Sequence, residues 1–130
     1  MIKGLGIDLV KIEKTENLLK MFGDRFLRKV FTESEIQEGK NRALPAQEFS
    51  VLFAAKEAVQ KCLGVRMFTS IKFREIEILS RKGNKPLVKL LGKAKEMAEK
   101  LGGGQIHLSL SHEGGYALAV AIFEKSEEGG

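Results

Sequence analysis

A chain of 130 residues with 43% hydrophobic and 30% charged side chains can fill one core, and the expectation is one domain over residues 1–125. No apolar run reaches the roughly 20 residues a membrane span requires, and a single cysteine, Cys62, excludes an internal disulfide and suits a reducing cytoplasm. The net charge of +5 favours acidic partners, yet with no Trp, one Tyr and no zinc-ligand spacing the chain lacks the usual marks of a nucleic-acid binder.

The opening MIKGLGIDLV lacks the ordered basic, apolar and small-residue segments of a signal peptide, so none is expected. Residues 2–10 alternate as a strand with Gly4, Gly6, Asp8 and Val10 on one face and Leu5, Ile7 and Leu9 on the other. A helix follows from about Ile12 to Phe22 on the stripe Ile12, Leu18, Leu19 and Phe22, then a turn at FGDRF and a short helical stretch through Val30. TESE offers Thr32 as an N-cap and Glu35 as its reciprocal partner, a capping box.

NRALP is a loop, after which LFAAKEAVQKCLG reads as a helix that Gly64 can terminate. On its wheel Leu52, Ala55, Ala58, Val59, Cys62 and Leu63 share the core face, with Phe53, Lys56, Glu57, Gln60 and Lys61 opposite. IKFREIEIL is β-rich, SRKGNKP a turn and LVKLL a short strand. Residues 93–101 form a helix closed by GGG. QIHLSLS and YALAVAIFE alternate around HEGG as a hairpin, and the acidic end of the chain, 126–130, is expected to fray. Helices and antiparallel strands come in separate groups, which predicts an α+β fold with a small antiparallel sheet packed with helices.

Three places carry chemistry. Asp8 stands among apolar strand residues and needs a partner there, whether a lysine, a helix N-terminus or a ligand. The two glycines before it leave room for another group to approach the backbone, while Leu9, at the position of the third glycine, weakens a Rossmann reading. From these residues alone Glu57 reads first as a surface acid paired with Lys61 one turn later, and only second as a working carboxylate. His107, Ser109 and Ser111 share one strand face, and His112 stands at the turn. No G-x-S-x-G elbow accompanies them, so hydroxyls and amides suited to a phosphate fit better than a hydrolytic triad. Asp8 and Glu57 lie on elements that must pack together in so small a domain. Such oxygen ligands hold Mg²⁺ beside a phosphate, which Lys61 could also reach.

GLGIDLVKIEK, FAAKEAVQKCLG and HLSLSHEGGYALAVAI, in this order and spacing, resemble the holo-[acyl-carrier-protein] synthases, the bacterial short-chain 4'-phosphopantetheinyl transferases. The stretches DRFLRKVFTESE, IKFREIEIL and NKPLVKLLGKAKEMAEKLG extend the resemblance over nearly the whole chain. It implies transfer of the 4'-phosphopantetheine arm of coenzyme A to a serine of apo-acyl carrier protein in fatty acid biosynthesis, releasing adenosine 3',5'-bisphosphate. It also implies the 4'-phosphopantetheinyl transferase fold, a homotrimer with its active sites between subunits, and Mg²⁺ on Asp8 and Glu57. Lys61 would bind phosphate, Gly64 would let the chain approach coenzyme A, and Ser109, Ser111 and His112 would line its pocket. The general base is Glu57 or a metal-bound water. The basic residues Lys11, Lys14, Lys20, Arg25 and Arg28, assigned to the first helix, would dock the acidic carrier protein.

The chain departs from the family pattern at Leu52, where Arg is usual, and at Val65 and Arg66, where Thr-Gly is usual. The loop GKNRALPAQ also differs in length. Lys40, Arg42 and Arg66 are the available substitutes for binding the 3'-phosphate end of coenzyme A. Two other classes fit parts of the sequence: a non-catalytic basic module that needs no metal, and a small Mg²⁺-dependent diphosphate hydrolase with water as acceptor.

Overall fold

The structure is a computed structural model that describes residues 1–64, 71–79 and 85–125. Strand β1 (Ile2–Lys11) leads into helices α1 (Ile12–Phe22), α2 (Asp24–Val30), α3 (Glu33–Lys40) and α4 (Pro45–Cys62). A 3-10 turn (Phe73–Glu75) then enters β2 (Ile76–Leu79), which is followed by β3 (Leu87–Leu90) and α5 (Gly92–Lys100). The hairpin β4 (Gln105–Glu113) and β5 (Tyr116–Glu124) closes the described chain. The α+β expectation holds. The strands form an antiparallel sheet in the order β1-β5-β4 and a separate antiparallel pair β2-β3. The tail 126–130 lies outside the described residues.

Helix α4 organises everything else. Proline at its first position, where no amide partner is lost, starts it, and Gly64 with φ +75° ends it. One side of the helix lies on β1 and β5. That side is built from small residues: Ala54, Ala55 and Ala58 on the helix, and Ala117, Ala119 and Ala121 on β5, all without exposed surface except as contacts between them. On β1 the approach is closer still. A Cβ added to Gly4 would stand 1.8 Å from the Cys62 carbonyl oxygen, and one added to Gly6 would stand 1.9 Å from that of Ala58. No side chain fits there unless the helix lifts off the strand.

The side of α4 away from β1 carries Phe49 and Leu52 toward α3 and β2, where the core includes Phe31, Ile36, Ile76 and Ile78. Burying each large side chain contributes roughly 1.5–3 kcal/mol. Phe31 and Phe49 stack at 5.0 Å between ring centres. The predicted capping box on α3 is present: Glu35 N–H donates to Thr32 Oγ1 at 3.4 Å, and Thr32 N–H donates to Glu35 Oε1 at 2.8 Å.

Three expectations need correction. Lys56, placed by periodicity on the outer face, is completely buried. Its ammonium pairs with Glu35 at 2.8 Å and donates to the carbonyls of Phe73, at 3.0 Å, and Ile76. Burial pulls its pKa down, and the Glu35 charge offsets part of that effect. Periodicity failed for Lys56 because α4 is covered by α3 and β2 as well as by the sheet, which narrows its outer strip to Phe53, Glu57, Gln60 and Lys61. Secondly, the β-rich stretch IKFREIEIL is extended only from Ile76 onward, its middle being the 3-10 turn. Thirdly, the basic residues are not all on the first helix: Lys11 ends β1, Lys14 and Lys20 lie on α1, and Arg25 and Arg28 lie on α2, beyond the break at Gly23.

Candidate active site

Asp8 lies on the face of β1 that meets α4, two residues beyond Gly6. Its side chain is 10% exposed, and its Oδ1 accepts from the Lys61 ammonium at 3.1 Å. The same ammonium donates to the Ile7 carbonyl at 3.0 Å. Lys61 therefore serves β1 and not Glu57, so the simple i,i+4 surface pair is not what this helix makes. Asp8 Oδ2 is buried and has no hydrogen-bond partner in the protein. An orphaned carboxylate oxygen of this kind is rare and costly.

Glu57 is the neighbour that matters. Its pKa is raised to about 8, first by burial and then by the Asp8 carboxylate beside it, whose charge holds a proton on Glu57. Lys61 and Lys14 pull the other way. Two carboxylates thus share a half-buried site with too little positive charge to ionise both. A divalent cation with oxygen ligands fits this deficit, giving Asp8 Oδ2 a partner and both acids a reason to ionise. Among the described residues no third acid, His or Cys joins them, so the remaining ligands would be water or substrate oxygens.

The other predicted residues are distributed unevenly. Gly64 is exposed, with open space around its Cα, immediately beyond α4. His112 closes the hairpin end, and its Nε2 stands 3.3 Å from Nε2 of Gln47 in the first turns of α4. Ser109 and Ser111 pair with Val120 and Leu118, residues on the face of the sheet that points away from α4. One chain therefore does not bring these serines to Asp8 and Glu57. Lys40 and Arg42 are exposed and already paired, to Asp24 at 2.8 Å and to Glu38 at 2.9 Å. Such surface pairs are weak enough to exchange for a phosphate. Val65 and Arg66 lie outside the described residues.

Sequence reasoning missed two contributors. Gln47 carries no motif signal, and only the fold brings it to His112. Lys14 had a docking role alone, yet its charge reaches Glu57; its place one turn into α1, directly after β1, is the signal that was available.

Two neighbouring carboxylates, one with an oxygen left without a partner, thus stand beside a lysine near the end of α4. Residues 4–121 match the 4'-phosphopantetheinyl transferase superfamily, and the chain belongs to that family. A holo-[acyl-carrier-protein] synthase of Syntrophus aciditrophicus is 41% identical over 124 residues, covering 95% of this chain and 97% of the relative. The one from Koribacter versatilis is 38% identical over 124 residues, covering 95% and 99%. Among solved structures, the Neisseria meningitidis holo-[acyl-carrier-protein] synthase superposes with a TM-score of 0.86 at 32% identity, covering 96% of this chain and 100% of that one. The Helicobacter pylori synthase in complex with coenzyme A superposes with a TM-score of 0.80 at 32% identity, covering 92% and 99%.

The raised pKa of Glu57 has a consequence for stability. Because its folded pKa, about 8, lies above the ordinary 4.5, the folded state holds a proton that the unfolded state has lost between those values. The stability contributed by protonated Glu57 is fully present below about pH 4.5 and is lost as pH rises through about 8. In a chelating buffer, Glu57→Gln should therefore gain in Tm relative to the unsubstituted chain as pH is raised from 5 to 9. A difference in Tm that stays flat across that range, followed by circular dichroism, would refute the shared-proton picture.

Proposed function

We propose that the chain transfers the 4'-phosphopantetheine arm of coenzyme A to a serine hydroxyl of apo-acyl carrier protein, releasing adenosine 3',5'-bisphosphate. The observation that carries this reading is the Asp8–Glu57–Lys61 constellation, held by α4 on β1 in a chain matched along its length by synthases of that name. Residues 1–125 act as one transferase domain.

The reaction joins the serine oxygen to the phosphorus nearer the pantetheine and breaks that phosphorus's bond to the bridging oxygen of the pyrophosphate. Asp8 and Glu57 would hold Mg²⁺, which when bound would supply charge neutralisation on the departing phosphate. Lys61 is set to exchange Asp8 for a phosphate oxygen, since its ammonium is half-exposed while Asp8 is nearly buried. With a cation in place Glu57 would be ionised, and the serine proton would pass to its carboxylate or to a water beside it.

Two surfaces support a protein acceptor. Between α1 and α2 a hollow of about 510 Å³ is lined by Leu18, Phe22 and Phe26 together with Arg25, Arg28 and Lys29. A lining that mixes apolar and basic side chains suits a partner that presents acidic groups beside an apolar contact, such as acyl carrier protein, and makes the encounter sensitive to salt. This feature also favours a transferase over a diphosphate hydrolase, which needs no protein-docking face. On the far side of the sheet, Leu5, Ile7 and Leu9 are 65%, 58% and 59% exposed and adjoin Ile122, Val120 and Leu118. A sheet face this apolar calls for cover. A trimer supplies it, bringing Ser109, Ser111 and His112 of one copy toward the carboxylates of another. The buried Cys62 thiol, its pKa pushed up to about 12, is inert and compatible with the cytoplasm.

The deciding experiment is mass spectrometry of apo-acyl carrier protein incubated with coenzyme A and this chain. A mass gain of one phosphopantetheine should appear with Mg²⁺ and vanish with EDTA or in Asp8→Ala. A gain unaffected by EDTA removes the metal claim, and no gain with any carrier protein removes the function. Arg28→Glu should raise KM for the carrier by roughly 10-fold, as for loss of a charged docking contact, while KM for coenzyme A stays put. An equal rise in both would move the docking face elsewhere. Ile7→Glu should reduce the mass measured by light scattering to that of a single chain, and an unchanged mass would place any interface off this sheet face.

A further inference from the structure

The buried pair Lys56–Glu35 stands one residue from Glu57, and the proposed reaction makes no use of it. Its polar capacity is filled completely. The three ammonium protons of Lys56 have three acceptors: Glu35 Oε1 at 2.8 Å, the Phe73 carbonyl at 3.0 Å and the Ile76 carbonyl. Glu35 in turn accepts from Thr32 N–H at 2.8 Å and from Ile78 N–H at 2.8 Å. Both side chains are fully enclosed, and the ammonium lies 5.6 Å from the centre of the Phe31 ring. One lysine therefore ties α4 to the N-terminus of α3, to the 3-10 turn and to β2. These anchors lie on the side of α4 away from β1.

Successive helical residues point about 100° apart. Fixing Lys56 against α3 and β2 consequently fixes the azimuth of Glu57 toward β1. The face of α4 against β1 is made of Ala54, Ala58 and two glycines, and the side chain that bonds across it, the half-exposed Lys61, is long and flexible, so this contact alone holds the rotation of the helix less firmly than the buried Lys56 anchor. Resting on the reading of Asp8 and Glu57 as the reacting site, we infer that Lys56, with Glu35, is a positioning residue that sets the rotation of α4 and so holds Glu57 against Asp8.

The test compares Lys56→Met with the double variant Lys56→Met/Glu35→Gln, which removes both charges and so avoids stranding a lone buried carboxylate. Three readouts are needed: Tm, steady-state transfer from coenzyme A to apo-acyl carrier protein, and the ¹⁵N–¹H shifts of the Asp8 and Lys61 amides. Expected are a lowered Tm in the single variant and partial recovery in the double. In both, kcat per folded molecule should fall about 10- to 100-fold, the penalty of a small misplacement, with KM for coenzyme A within about threefold of the original. The Asp8 amide, on a strand that supplies none of the polar partners of Lys56 or Glu35, should shift in both variants. A merely structural role predicts otherwise, and kcat recovering together with Tm, or an unmoved Asp8 amide in a folded variant, overturns the inference. If the unsubstituted chain transfers nothing, the function fails, and the amide shifts still decide whether Lys56 positions the acid pair.

Discussion

The constraint on which the rest depends is the direct seating of α4 on the backbone of β1. Gly4 and Gly6 remove the side chains that would hold helix and strand apart, so the Cys62 and Ala58 carbonyls occupy space a Cβ would need. Two residues of strand advance about 6.6 Å and four residues of helix about 6 Å. The row Gly4, Gly6, Asp8 therefore keeps step with the turns of α4 for the length of the contact. Asp8, the next residue of that row to carry a side chain, projects where Glu57 and Lys61 reach it. Glycine spacing on the strand and KEAVQK spacing on the helix are two halves of one geometric arrangement.

The fold treats its two buried carboxylates in opposite ways. Glu35 receives an ammonium and two backbone amides, a full set for a carboxylate taken out of water. Asp8 receives Lys61 on one oxygen and nothing on the other, and the acid beside it is held protonated to a pKa of about 8. Both are drawn from the same chemistry within one small domain, so the deficit at Asp8 does not reflect a lack of donors. Stability has been given up locally, and that is the usual signature of a site completed by a ligand.

Much of this was legible in the sequence because the signals were local. Alternation set β1, β4 and β5, and the Thr32–Glu35 capping box started α3 where expected. The acid pair was visible as two acids on elements that must meet. Lys56 was illegible for a definite reason: its partner lies 21 positions away on α3, and a charged residue on a helix is read as exposed unless that partner is known. The division of the sequence-predicted basic helix into α1 and α2 turns on Gly23, whose φ of +53° breaks a pattern that charge counting cannot see. The contact between Gln47 and His112 spans 65 residues and exists only in the assembled fold.

The strand β1 has two unlike faces, and under the proposed function they would join catalysis to assembly. Its inner row carries Gly4, Gly6 and Asp8, while its outer row carries Leu5, Ile7 and Leu9. An isolated antiparallel sheet of this size would turn polar residues outward on that second row. Instead the apolar row continues across β5, and the small hydroxyls Ser109 and Ser111 appear only on β4. Those hydroxyls stand on the wrong side of their own sheet to meet their own Asp8. Under the proposed trimer, hydroxyls so placed would meet the carboxylates of a second copy. The outer row that would drive association by apolar burial would then also supply a wall of the site, and a substitution that polarises the sheet face would disable chemistry it never touches.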